Sequence, residues 1–312
     1  MTLDAAQQAA LRLIHARLQP HPLVWAITGS LGLALQGMPL DVHDIDLQTD
    51  AQGAYAIQRH LADFVVEPVR EVVSERIRSH LGRLRIHGVA VEVMGGVQKR
   101  RPGQAWGPPT AVARHRHWVV WEGRRLPVLD LAYEEAAYAQ LGRLGKAAAI
   151  RLWRTQRVSL RPFRPADQRA AQGLILAAMQ ERWGTLDPGK NPDLNDIASA
   201  YADGVFLVAC QEGALVATGA FRPHAADTVE IVRMAVRRDR RRRGIGRAML
   251  WTLCWQAYRA GYRRAILETT AHWHDAVAFY RAFGFRITHR AGEDVYFALD
   301  LPAFFAAHGA GP

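Results

Sequence analysis

Two stretches of the chain carry residue types whose spacing suits the handling of phosphate. In RRDRRRRGIGR, Arg237 to Arg247, seven arginines and two glycines fall within eleven residues. Backbone N–H groups at a helix start bind phosphate oxygens when no side chain stands in the way, as at Gly244 and Gly246 around Ile245. Arg241, Arg242, Arg243 and Arg247 can add charge-assisted hydrogen bonds to the same group. The competing readings are a solvated basic turn and a nucleic-acid patch. In the first half, HDIDL sets Asp44 and Asp46 two apart. A strand would turn both carboxylates to one face while Ile45 and Leu47 face the core. Two like charges on one face are costly unless a cation lies between them. Glu92, between Val91 and Val93 in GVAVEVMG, offers a third acid on another alternating strand, and Gly29-Ser30 leads a helical run. Three acids and a Gly-Ser turn fit a divalent metal holding a nucleoside triphosphate. Asp-x-Asp pairs also occur on edge strands as plain surface charge. His272 and His274 lie two apart in a loop without further ligands, which is a poor metal site.

The elements that position these residues follow from hydrophobic periodicity. RVSLRPFRPAD (157–167) reads as a strand with Asp167 as helix N-cap, and a helical stretch runs on to Arg182. After the loop to residue 196 a second helical stretch leads toward Tyr201. VFLVAC and ALVATGAF flank QEG as a hairpin with Gly213 in the turn. VEIVRMAV (229–236) is a strand, followed by the arginine turn and a helix from Ile245 to about Ala260. RAILETT, a helix through Tyr280 and the strand VYFAL close the series. Alternation places Glu230, Val232, Met234 and Val236 on one face. In the first half, LPVLDLAYEEAAYAQLGRLGKAAAIRLW (126–153) reads as one amphipathic helix. Only RTQR (154–157) separates the halves, a linker too short to let them roam.

EIVRMAVRRDRRRRGIGRAML resembles the coenzyme-A-binding core of the GNAT acetyltransferases, with Arg241-x-x-Gly244-x-Gly246 as its pyrophosphate loop. AVAFYRAFGF, from Ala276 through Tyr280 to Phe285, is similar to the same family's C-terminal motif. The resemblance covers about 158–300 and departs at Trp273, where the family often has Asn. It implies acetyl-CoA as cofactor, a pantetheine arm paired with the backbone of Met234 and Val236, and a splay beside RAILETT that admits it. It also implies Glu230 as base, directly or through water, and Tyr280 as general acid to the leaving sulfur. A buried core tyrosine and a strand carboxylate in an ion pair are the plain alternatives.

Residues 20–100 resemble the nucleotidyltransferase superfamily, and within it the aminoglycoside and lincosamide nucleotidyltransferases, where a His often precedes the acid pair as His43 does here. That resemblance implies ATP or another nucleoside triphosphate with Mg2+. Gly29 and Ser30 would hold the triphosphate, Asp44 and Asp46 the metals. Glu92 would assist deprotonation of the acceptor hydroxyl or complete the metal site. Such folds also serve as inactive modules.

The 312 residues are enough for two domains, and 49% hydrophobic content can fill two cores. The expectation is an α/β (α+β) chain with a mixed central sheet flanked by helices in each domain. A nucleotidyltransferase-like domain would span 1–154 and a GNAT domain 155–312. Net charge is +11, with +5 in residues 1–154 and +6 in the remainder. The turn 237–247, with seven Arg and one Asp, equals the whole excess of the second half. Cations tracking a polyanion spread along a face, so nucleic acid is the less favoured partner, and the GNAT resemblance implies a small-molecule amine as acceptor. The loop 183–196 and the hairpin tip near Pro223-His224 are expected to shape its pocket. Two cysteines give no disulfide framework, no apolar run approaches a membrane span, and the N-terminus reads as an amphipathic helix rather than a signal peptide. These features point to the cytoplasm, with no membrane partner. The chain ends in the small-residue tail FFAAHGAGP, and oligomeric state has no readable signal.

Overall fold

The alternating run VAVEVMG begins the longest strand in the first of two sheets, because every second residue has an apolar layer to enter. The computed structural model describes residues 3–101, 103–186 and 188–308, so the end of the small-residue tail, 309–312, and Asp187 of the loop 183–196 lie outside the described residues. The chain divides into two compact units, Met1–Arg143 and Leu144–Pro312.

The first unit runs α1 (Ala5–Leu18), β1 (Trp25–Thr28), α2 (Gly29–Leu35), β2 (Ile45–Thr49), α3 (Ala51–His60), β3 (Val65–Val73) and β4 (Ile77–Ile86). It continues with β5 (Val89–Lys99), the short α4 (Val112–His115), β6 (Arg116–Trp121), β7 (Arg124–Leu129) and α5 (Leu131–Gln140). Its sheet has the order β3-β4-β5-β2-β1-β7-β6. The pairs β2–β5 and β1–β7 are parallel and the others antiparallel. Ile45 and Leu47 of β2 and Val91 and Val93 of β5 are buried with Leu11 and Ile14 of α1 and Ala54 and Ile57 of α3. The other sheet face is thereby left to Asp46 and Glu92, which are in register with each other. α1 begins at Asp4, whose side chain accepts from the Gln7 N–H while the Gln7 amide oxygen accepts from the Asp4 N–H.

The single helix expected over 126–153 is not formed. Leu126 and Val128 are buried in β7, and Asp130 stops the strand by capping α5 through the Tyr133 N–H. A new helix, α6 (Leu144–Gln156), opens the second unit, so residues 154–156 are helix rather than linker. Gly145 of α6 packs against Trp251 with no room for a Cβ, which draws this helix to the second unit rather than the first.

After α6 come β8 (Val158–Pro162), α7 (Gln168–Trp183), α8 (Ile197–Ala200), β9 (Val205–Gln211), β10 (Ala214–Ala225) and β11 (Thr228–Val236). Then follow α9 (Ile245–Arg259), β12 (Arg264–Thr270), α10 (His274–Phe283), β13 (Arg286–Ala291), β14 (Asp294–Asp300) and α11 (Leu301–Ala307). The strand order is β13-β14-β12-β11-β10-β9-β8, with only β11–β12 parallel. α9, α10 and α11 bury one face, and α7 and α8 bury the other. The β9–β10 hairpin turns at Gly213, as its φ of +82° allows. Asp167 does not cap α7. Its carboxylate accepts from the Arg164 N–H at 2.8 Å, capping the preceding 3-10 turn, and forms a two-pronged pair with Arg161 at 2.6 and 2.8 Å.

The expected single face of Glu230, Val232, Met234 and Val236 is broken in the middle. Arg233 has a φ of +55°, and the β10–β11 register shifts between Thr218 and Ala220. This is a β-bulge, and it inverts the alternation. Val229 and Ile231 enter the α9 side ahead of it, and Met234 and Val236 enter the same side after it. Val232 and Ala235 pack on the α7 side.

Candidate functional site

β11 and β12 pair only from Thr228↔Arg264 to Glu230↔Ile266, although β11 runs on to Val236 and β12 to Thr270. Past Glu230 the two strands part. A cleft of about 460 Å³ opens there, lined from both sheet faces. Ile175, Ala178 and Met179 of α7 line it on one side and Tyr280 of α10 on the other, with Glu230 and Met234 between. Tyr280 is buried, and burial pushes its phenol up to about 12 against a weaker opposing pull from Arg182. It therefore keeps its proton at every working pH. Glu230 is tied to Arg222, its cross-strand neighbour, at 2.7 Å. That pair raises the Arg222 guanidinium, chiefly through the hydrogen bond.

The rim of the cleft comes from the loop after α7. Asp193 accepts from Arg233 Nε and from the Tyr201 hydroxyl, both at 2.8 Å, and Arg233 Nη1 donates to Asn191 Oδ1 at 2.9 Å. Burial pushes the Asp193 carboxyl up, but the bonds from Arg233 and Tyr201 carry it below its ordinary value. The bulge residue thus fastens the loop. Trp183, Lys190, Asn191 and Asp193 of the expected loop line the cleft. At the hairpin, among the described residues, Arg222 does so but Pro223 and His224 do not.

The arginine turn follows β11 directly. Gly244 takes φ +83° as the N-cap of α9, a conformation open to glycine at little cost, and Arg242 takes +60°. The first turn of α9 has N–H groups that no helical carbonyl can satisfy. A Cβ at Gly246 would meet Val236 and Phe279 at 3.5 and 3.7 Å, ordinary contact distances. The chain itself has room for a methyl group there. The arginines divide into two groups. Arg237 pairs with Asp239, Arg240 donates to Gln211, and Arg241 holds Glu181 at 2.9 and 2.7 Å while its Nε donates to the Val236 carbonyl. Arg238, a 3.8 Å partner of Glu181, is exposed, and so are Arg242, Arg243 and Arg247 beside Gly244 and Gly246, with Arg247 also donating to the Ala282 carbonyl at 3.5 Å. Coenzyme A fits these observations: a glycine turn for its pyrophosphate, exposed cations and a parted strand pair for its arm.

In the first unit, Gly29 has φ +67°, and a Cβ there would lie 2.1 Å from Asp46 Oδ2. The Gly-Ser turn and the acid pair are therefore in contact, and Ser30 Oγ donates to Asp44 Oδ1 at 3.4 Å. Asp44 lies just ahead of β2 rather than within it. Glu92 is beside Asp46 in register, but its carboxylate accepts from Arg83 Nε at 3.0 Å, and Arg83 also bonds Glu67. Among the described residues no three His, Cys, Asp or Glu side chains are grouped closely enough to hold a metal ion. Glu134, buried in α5, accepts from Thr28 Oγ1 and from the Gly29 N–H. Tyr138 is pushed above its ordinary value by burial and by Glu134, with smaller pushes from Asp46 and Asp44.

The family model for aminoglycoside-2''-adenylyltransferase matches residues 10–152, and that for the GNAT acetyltransferase family matches residues 174–285. The chain joins a nucleotidyltransferase-like domain to a GNAT acetyltransferase domain. Among solved structures, a presumed nucleotidyltransferase from Thermotoga maritima is 45% identical, covering 46% of this chain and 89% of its own, with a TM-score of 0.42. A GNAT acetyltransferase from Staphylococcus aureus is 18% identical, covering 46% and 99%, at 0.44. The PaiA N-acetyltransferase of Thermoplasma acidophilum, in complex with coenzyme A, is 16% identical, covering 46% and 98%, at 0.42. No curated protein matches the chain.

The GNAT domain brings Glu230, Met234 and Tyr280 to one cleft, while the turn 237–247 opens α9 beyond it. In the nucleotidyltransferase-like domain Gly29, Ser30, Asp44 and Asp46 come together, with Glu92 drawn to Arg83. Sequence reasoning missed Arg233, Arg83 and Glu134, whose partners are 40, 9 and more than 100 residues away. Arg233 left one trace, as a charge within an otherwise apolar run after Glu230.

Proposed function

We propose that the GNAT domain transfers the acetyl group of acetyl-CoA to the amine of a small molecule. The parting of β11 and β12 beyond Glu230 supports this reading, because a carboxylate, a phenol and an opening between strands meet there. Glu230, positioned by its bond from Arg222, takes the ammonium proton through water. The freed nitrogen attacks the thioester carbonyl, the C–N bond forms and the C–S bond breaks. Tyr280 gives its proton to the departing sulfur and regains one from the new amide nitrogen. Gly244, Gly246, Arg242, Arg243 and Arg247 hold the pyrophosphate, and Arg241 shapes the turn through Glu181 and Val236. The test is thiol release from acetyl-CoA on adding primary amines. Release that no amine stimulates would overturn the reading.

A second activity, nucleotidyl transfer from ATP with Mg2+, belongs to the first domain in this proposal. Bound magnesium would draw charge from the triphosphate. Asp44 and Asp46 would hold it, and the Gly29-Ser30 turn would hold the phosphates. The Arg83–Glu92 pair favours the rival in which this domain binds without catalysing, since the third carboxylate is already engaged. Acetylation and adenylylation both inactivate amino-sugar antibiotics, and the 2''-adenylyltransferase model match gives that substrate class its support. Incorporation of labelled AMP into an aminoglycoside decides between the two.

A further inference from the structure

We infer that Trp183 and Trp273 form an aromatic wall of the acceptor site, and that the accepted amine is carried on a ring lying against it. The inference rests on the acetyl-transfer reading for its reaction and on separate observations for its shape. Trp183 ends α7 with 49% of its surface exposed, an unusual position for the largest apolar side chain. Its ring centroid is 4.9 Å from that of Trp273, and both line the cleft. Trp273 is fixed in orientation. The Arg182 guanidinium lies 4.6 Å over its ring and is itself locked by a two-pronged pair with Asp275, at 3.0 and 2.9 Å. Trp273 Nε1 is the one buried side-chain nitrogen or oxygen without a hydrogen-bond partner among the described residues. An indole N–H can only donate, so the missing partner is an acceptor atom.

Two adjacent indoles on one cleft wall describe a ligand with a flat apolar face, and the Trp273 N–H, itself shut off from solvent, calls for an acceptor atom that the described residues do not supply. Arg182, Arg222 and Arg233 of the lining are held by Asp275, Glu230 and Asp193, so Glu268 and Asp294 outnumber the remaining lining cation, Lys190, and favour a cation. An acyclic polyamine would satisfy the carboxylates and leave the indoles bare. A ring-borne amine, from a sugar or an aryl-alkyl source, satisfies all of them. Among the described residues none of 237–247 lines this cleft, so the wall stands apart from the phosphate turn.

The experiment uses the full chain with acetyl-CoA and three acceptors: glucosamine, tyramine and spermidine. Trp183→Leu should raise KM for a ring-borne amine about tenfold while leaving spermidine and the acetyl-CoA Kd within about twofold. Trp273→Phe, which keeps a ring and removes the N–H, should raise KM for the same amine. An effect on glucosamine alone assigns a sugar, and on tyramine alone an aryl-alkyl amine. Equal effects on all three acceptors, or a change confined to acetyl-CoA affinity, would overturn the wall. Quenching of tryptophan fluorescence by ring-borne amines in the coenzyme-A-bound protein reads the wall without turnover. Quenching in the parent, lost in Trp183→Leu, supports it even if no amine is acetylated, in which case the reaction assignment fails instead. No quenching by either ring-borne amine in the parent overturns the wall.

Discussion

Tyr280 combines burial with access to the cleft, and the two make different demands on a substitution. Phenylalanine keeps the packing against Phe285 and Phe297 and removes only the proton. Tyr280→Phe should therefore lower kcat by about 10²–10⁴-fold with acetyl-CoA affinity nearly constant. Steady-state kinetics with any accepted amine checks this, and a kcat within a few-fold of the parent would mark a core tyrosine. With its phenol pushed up to about 12, no alkaline loss of rate below pH 10 belongs to Tyr280. Arg233 is a structural counterpart. Arg233→Ala leaves Asp193 partly buried without its cation and should cost about 3 kcal/mol in denaturant unfolding. Asp193 titrates below its ordinary 3.8, so the pair's stabilisation is full above about pH 4 and lost as pH falls through the lower folded value. Melting temperatures of Arg233→Ala and parent should converge toward pH 3. At this scale the sequence showed Tyr280, Glu230 and the glycines by their order along the chain. The partners that tune them, Arg222 and Asp193, come from cross-strand and loop contacts that no local spacing encodes.

The element that carries most of the proposed function is the strand–turn–helix unit from β11 through α9. Gly246→Ala should fold normally, since its Cβ would meet Val236 and Phe279 at ordinary contact distances, yet weaken coenzyme A binding by about 10–100-fold. Gly244→Val adds backbone strain at φ +83° and should lower the melting temperature as well. Thermal melts with and without coenzyme A separate the two effects. This unit was legible because its apolar strand, glycine turn and amphipathic helix each have a strong local signal. The bulge was not, because Arg233 looks like any charge on a strand until its register with β10 is known. β13 was missed for a related reason: all six of its residues are exposed, so no apolar alternation marks it. β3 pairs only with β4, carries Pro68 and has a single buried residue, Val69, so its valines do not mark an alternating buried face. The 126–153 segment misled because Leu126, Val128 and Leu129 also satisfy helical spacing, and only burial in the sheet selects strand.

At the scale of the whole molecule, two sheets with separate cores predict separable ligand responses. Asp44→Asn or Asp46→Asn should abolish nucleotide transfer and leave coenzyme A binding unchanged, as calorimetry on each variant would show. Transfer surviving the loss of both carboxylates would sink the metal assignment. The existence of two domains was legible from length, composition and two motif sets. The division at residue 143 was not, because α6 has helical periodicity whichever core it joins, and the fit of Gly145 to Trp251 is a tertiary fact. The measurement that bears most directly on the whole account is calorimetric titration of the full chain with acetyl-CoA and with duplex DNA, at 50 and 200 mM salt. The account predicts saturable acetyl-CoA binding at both salt concentrations, weakened in Gly246→Ala, and no specific heat with DNA. Absence of acetyl-CoA binding, together with DNA affinity falling by about 10³-fold or more between the two salts, would contradict it and make the arginine turn a polyanion patch.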